Sequence, residues 1–300
     1  MEEGADERPL ARSVAARGRF ARIFSLGDRA SPSSWTPGLV LSSDDPEIPL
    51  PFAAFRMNRD SSLLPAKMSL EVLGDLCLPF GQGEIWNAEE GLILPSSLVE
   101  SNSGEKSSGG QLLPVSWQSL HHDEGLLEDS IEPSIVAIID APQLAECPGK
   151  LVDAIDAIRR RFPTSLIWTP GIGGPDNCAL LSWMGVDLFD LSRSQEAVAR
   201  GVILAEDGPR EPENTTGEKS DIQTQVEAWK RALGATRSAI REGTIRQLAE
   251  RQSLSSPRSV ERLRRHDSMM SQNASIDAGS AGLESVVTVS YTHLRAHETG

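Results

Sequence analysis

The chain has 300 residues, 39% of them hydrophobic and 24% charged, which suits one or two globular domains with a real core. A formal net charge of −14 argues against wholesale nucleic-acid binding, and apolar runs such as Ser134–Ala141 fall short of the ~20 residues that a bilayer span needs. Three dispersed cysteines, Cys77, Cys147 and Cys178, form no Cys-x-x-Cys or Cys/His cluster, so they argue against a disulfide framework or structural zinc and read as buried thiols.

Residues 1–16 read as a disordered N-terminus, without the apolar core of a secretion signal, and the expected location is cytoplasmic. Gly18–Asp28 alternates Phe20, Arg22 and Phe24 before a Leu-Gly-Asp turn, and Thr36–Ser43 is a second apolar run. Together they predict a hairpin feeding a first buried strand. Ala66–Gly81 reads as a short helix stopped by Pro79 and Gly81, and Gly91–Ser97 as a strand. Glu100–Gln111 is a polar Gly/Ser loop, followed by a strand over Leu112–Trp117. His121-His122 beside Asp123 and Glu124 reads as surface loop, because consecutive side chains rarely converge on one metal ion.

Periodicity is clearest from Ser134. A buried strand, Ser134–Asp140, precedes a helix whose Leu151, Ile155 and Ile158 face inward. A strand at Thr164–Gly171, a helix opened by Pro175-Asp176 and a strand at Val186–Ser192 follow. This alternation predicts parallel strands with right-handed crossovers, and Asp140, Thr169-Pro170-Gly171 and Asp190 fall at the carboxyl ends where α/β folds keep their chemistry. Ala199–Pro209 reads as a hairpin strand, and a linker rich in Pro, Asn, Thr and Glu follows. From Ser220, Ile222, Val226, Trp229, Leu233, Thr236 and Ile240 share one helical stripe that Gly243 ends. Two shorter helices are predicted after it, the second opened by Ser256-Pro257.

The stretch Gly171–Asp190 reads Gly-x-Gly-x-Pro-Asp, then Gly-Val-Asp-x-Phe-Asp. With the entry segment 18–41 and the strand near Ala199–Gly208, it resembles the tRNA-guanine transglycosylase superfamily over roughly residues 17–56 and 134–209. The resemblance implies an α/β fold, a TIM-like (β/α)8 barrel, reduced or incomplete, followed by a small helical segment. It implies that Gly171, Gly173, Gly174 and Asp140 bind a 7-deazaguanine base and that Asp190 is the catalytic carboxylate. Asp187, three positions earlier, reads as structural. The superfamily's Asp-Ser-Gly-Gly-Phe-Gln segment is absent, and residues 209–221 contain no zinc-binding cysteines. Ala239–Asp267 is similar instead to the archaeal branch, the archaeosine synthases. The implied partners are tRNA and a 7-deazaguanine base, with no membrane, no cofactor and no metal, and a homodimer stays open. Three functions stand at this point: archaeosine biosynthesis on tRNA, a catalytically silent tRNA-binding barrel, and base exchange with Asp190 as nucleophile.

Charge is uneven. Arg237–Arg265 holds eight arginines against three glutamates, a net +5, which leaves −19 on the remainder. Arg258, Arg262 and Arg265 share helical spacing and are the expected tRNA phosphate contacts. The domain expectation is a barrel over 17–213, an arginine-rich helical segment over 217–267 and a tail over 268–300. Ser290–Gly300 resembles translated sequencing-adaptor read-through, and the chain reads as an amino-terminal fragment.

Overall fold

The computed structural model describes residues 12–26, 32, 34–42, 45–49, 51–60, 67–72, 84–85, 112–122, 133–213 and 217–280. Strand β1 (Arg12–Gly18) pairs antiparallel with β2 (Ala21–Leu26), which pairs in turn with β3 (Ser34–Trp35). The hairpin that turns at Arg19, with φ +54, joins β1 to β2; the expected one, from Gly18–Asp28 into Thr36–Ser43, is met only by the short β2–β3 pairing, and Gly38–Leu41 joins the main sheet. Pairing starts earlier than predicted: Arg12 pairs with Leu26 and Val14 with Phe24, so part of the segment read as disordered has ladder partners.

The main sheet contains β4 (Gly38–Leu41), β5 (Ala53–Asp60), β6 (Lys67–Val72), β7 (Glu84–Ile85), β8 (Leu112–Val115), β9 (Ile135–Ile138), β10 (Leu166–Trp168) and β11 (Leu188–Phe189). Its order is β7-β6-β5-β4-β11-β10-β9-β8. Five successive pairings, from β8 through β9, β10, β11 and β4 to β5, are parallel. The α/β expectation is met in that region. The β5–β6 and β6–β7 pairs are antiparallel, which a pure (β/α)8 repeat does not contain.

β6 lies where a helix was expected. Lys67-Met68-Ser69-Leu70-Glu71-Val72 alternates polar and apolar residues, a strand period, and the ladder with β5 uses that alternation. The expected strand at Gly91–Ser97, the loop at Glu100–Gln111 and Cys77 lie outside the described residues.

Helix α1 (Trp117–His122) follows β8, so His121 and His122 end a short helix and not a loop. After β9 come α2 (Ala141–Glu146) and α3 (Lys150–Arg161); after β10, α4 (Cys178–Met184); after β11, α5 (Ser192–Ala199). Leu151, Ile155 and Ile158 of α3 are buried as predicted. The hairpin β12 (Ile203–Ala205)–β13 (Gly208–Arg210) leads to α6 (Ile222–Glu242), α7 (Ile245–Ser253) and α8 (Pro257–Ser280). Asp221 caps α6, accepting from Thr224 N at 2.8 Å, and Gly243 closes it at φ +73. Helix α8 extends beyond residue 267, the predicted end of the helical segment.

The helical segment is welded to the sheet. Val226, Trp229, Leu233, Thr236 and Ile240 are buried in one core with sheet residues such as Leu39, Val136 and Ile167. Arg237, on the same helix, donates to Trp35 O at 2.8 Å, Pro37 O at 2.7 Å and Pro51 O at 3.0 Å. Gln252 Oε1 accepts from Ala179 N at 2.8 Å and Leu180 N at 3.2 Å, satisfying the open amides at the start of α4. A second core, made of strand residues alone, gathers Val40, Phe55, Ile135, Ala137, Leu166, Trp168 and Leu188. Cys178 is buried against Thr236 Oγ1 at 3.4 Å, and burial pushes its thiol up to about 12. Cys147 departs from the expectation: it is exposed, in the turn that follows α2.

Candidate functional site

The two aspartates of Gly-Val-Asp-Leu-Phe-Asp flank β11 and do opposite work. Asp187, at its entry, is 1% exposed. It meets Arg22 Nε at 3.3 Å and Arg159 Nη2 at 2.5 Å, and accepts from Ile167 N at 2.9 Å. It neutralises two buried guanidiniums and is structural, as its position suggested. Asp190, at the exit, is 7% exposed. Its Oδ2 accepts from Gly171 N at 2.9 Å and Trp168 Nε1 at 3.2 Å, and its Oδ1 from Ser192 N at 3.0 Å. Of the roughly four acceptor sites on a carboxylate, three are taken. The geometry fixes Asp190 beneath the β10–α4 loop and ties that loop to the start of α5.

The loop's glycines each have a local reason. Gly171 adopts φ +78, which favours glycine, and its Cβ position faces Pro142 at 3.4 Å. A side chain on Gly173 would come within 2.6 Å of the Phe189 ring. One on Gly174 would collide with Arg193 and Asp176, which form a two-pronged ion pair at 2.5 and 2.6 Å. Asn177 closes the turn, accepting from Gly174 N at 2.8 Å and donating to Ile172 O at 3.0 Å.

Asp140 ends the neighbouring strand β9. Its Oδ2 accepts from Trp117 N at 2.9 Å, and its Oδ1 is buried with no partner among the described residues. Burial raises its pKa above the usual carboxylate value, against the Trp117 amide, its own amide and Lys150. Pro142, two residues on, lines one cleft with Gly171, so the Asp140 and Asp190 strand ends belong to one rim.

Sequence reading missed Asp45, in the segment after β4, the strand beside β11. Asp45 accepts from Ser42 N and from Gln195 Nε2 of α5, both at 2.6 Å. Burial raises its pKa; the Ser42 hydrogen bonds oppose that, the Asp190 charge adds to it, and Gln195 lowers it. The only hint was an Asp-Asp-Pro turn after a buried strand, which does not reveal that β4 pairs with β11.

The arginines separate into two places. Arg258 and Arg262, at the start of α8, line a cleft of about 380 Å³ with Gly171, Asp176 and Arg193. Arg265 faces α3 instead, donating to Asp153 at 2.9 and 2.7 Å. Asp190, Gly173, Gly174 and Asp140 do not line that cleft. Among the described residues, no group of three or more His, Cys, Asp or Glu could hold a metal, and no helix is long and apolar enough to cross a membrane.

The fold and site define an α/β protein whose polar groups collect at the carboxyl edge of parallel strands, the customary location of ligand sites in such sheets. No protein-family model matches the chain, and no curated protein sequence matches it.

Proposed function

We propose that the chain belongs to a tRNA-modifying enzyme of the transglycosylase superfamily, acting on a 7-deazaguanine nucleotide of tRNA in archaeosine biosynthesis. The observation that carries this reading is the single rim formed by Asp140, the Gly171–Asn177 turn and Asp190 at three adjacent strand ends, carrying the motif residues of the resemblance. The finer fold reading is a reduced (β/α)8 barrel. The strand-only core around Trp168 supports it as a barrel interior, and so does the contact between the edge strands β7 and β8. The proposed partners are tRNA and the modified base, and the proposed location is the cytoplasm.

One observation favours a second reading, a tRNA-binding barrel without chemistry of its own. Asp190 is 7% exposed and carries three donors, which orients it but leaves little of it for attack on a ribose carbon. Base exchange with Asp190 as nucleophile demands that its Oδ1 reach that carbon while a carboxyl group protonates the departing base. Asp45 and Asp140, both raised above the usual carboxylate value by burial, suit the second task.

The deciding experiment incubates tRNA with the protein and labelled guanine, and separately supplies nitrile-bearing tRNA with amine donors. Amine addition supports the first reading. Guanine exchange abolished in Asp190→Asn supports base exchange. Binding of tRNA with neither reaction supports the silent barrel, and no binding refutes all three.

A further inference from the structure

The 380 Å³ cleft between the β10–α4 loop and the start of α8 is within the roughly 300–1,000 Å³ range of small-ligand pockets. Its walls come from segments that follow three successive parallel strands: Pro142 and Glu146 after β9, Gly171 and Asp176 after β10, and Arg193 after β11. Helix α8 closes the fourth side with Ser256, Arg258 and Arg262.

Charge in the cleft does not balance. Three guanidiniums face two carboxylates. Arg193 is matched by Asp176. Arg258 is matched by Glu146. Arg262 has no carboxylate within ion-pair distance among the described residues; its Nη2 donates to Ala145 O at 2.5 Å, and that backbone carbonyl is its one acceptor there. Burial holds Arg262 below the ordinary arginine value; Glu261 acts in the opposite direction, and Arg258 and Arg193 repel it further. One guanidinium left without a carboxylate in a concave, partly desolvated wall costs stability unless an anion joins it.

Ser256 Oγ, the cap of α8, accepts from Ser259 N at 3.1 Å and donates to the Ser259 hydroxyl at 3.0 Å. The 24-residue helix α8 directs its positive end into the same wall.

We infer that this cleft is a phosphate-binding site in which Arg262 is the principal contact and Arg193 and Arg258 complete a guanidinium cradle. The site takes a phosphate group, as a monoester or as an RNA phosphodiester. It shares the Gly171–Asn177 turn with the rim proposed for chemistry, while Asp190 itself does not line it. The paired Arg265 is not part of the site.

The test uses the whole chain and three probes: inorganic phosphate, guanosine 5′-monophosphate and a fluorescein-labelled RNA stem-loop. Calorimetry follows the first two and anisotropy the third. Arg262→Ala is expected to weaken the bound probe by about tenfold or more, the scale of a lost charge-assisted hydrogen bond. Arg258→Ala, on an exposed side chain, gives a smaller loss and keeps the test decisive if Arg262→Ala fails to fold. Arg265→Ala stays within about twofold of the parent, since its guanidinium is paired with Asp153 outside the cleft. If the stem-loop alone responds, with a salt slope reduced by about one unit in Arg262→Ala, the source is a phosphodiester. If the monophosphate or free phosphate responds, the source is a terminal phosphate. Failure of all three probes to bind at millimolar concentration, or binding that the Arg258 and Arg262 variants leave unchanged, overturns the inference. Phosphate binding by the parent protein without base exchange or amine addition separates the failure of one proposal from that of the other.

Discussion

Asp187 shows how much a single buried carboxylate holds. It compensates Arg22 and Arg159, whose side chains are 9% and 4% exposed. Asp187→Ala strands both charges, and a loss of about 3–5 kcal/mol is expected in urea unfolding. His266 makes a second prediction. It packs between Phe20 and Trp183, and burial depresses it to about 4, with Asp267 acting upward and Arg19 downward. The native imidazole stays neutral where the unfolded one protonates, so its stabilising effect is full above the ordinary histidine range and is lost as pH falls from about 6.5 toward 4. His266→Leu is expected to flatten stability against pH in that window, by about 3 kcal/mol relative to the parent. At this scale the sequence located Asp190 at a strand exit and Asp187 as structural. It was silent on Asp190's donors, because Trp168, Gly171 and Ser192 reach it from different elements. Asp45 and Arg193 were missed for the same reason.

Elements with long, regular patterns were legible: α3, α6 and the strands β9, β10 and β11 lie where periodicity put them. The short helices α2 and α5, of six and eight residues, carry too few turns to show a stripe. β6 was misread because Pro79 and Gly81 looked like a helix stop, while the alternation over Lys67–Val72 is the stronger signal. Helix ends supply an element-scale prediction. Asp221→Ala removes the acceptor for Thr224 N, and a loss of about 1 kcal/mol is expected in denaturant midpoint at constant slope. Trp229→Ala, at 0% exposure with its indole N–H on Ser194 Oγ at 2.9 Å, should cost about 3–5 kcal/mol by the same measurement.

At the scale of the whole molecule, the expected boundary between a barrel over 17–213 and a helical segment over 217–267 does not coincide with a boundary in the core. Trp229, Leu233 and Ile240 share one apolar cluster with Leu39, Val136 and Ile167. The predicted outcome is a single unfolding transition, superimposable when followed by far-ultraviolet dichroism and by tryptophan emission. Two separated transitions would show that the halves are autonomous.

Arg237 makes the same interdependence concrete. Its guanidinium sits in a socket made of backbone carbonyls at Trp35, Pro37 and Pro51, and burial lowers it to about 10. Severed ahead of α6, each half would inherit a defect: one a row of oxygens facing nothing, the other a positive charge on a greasy helix. Neither piece is a serviceable module for grafting onto another protein.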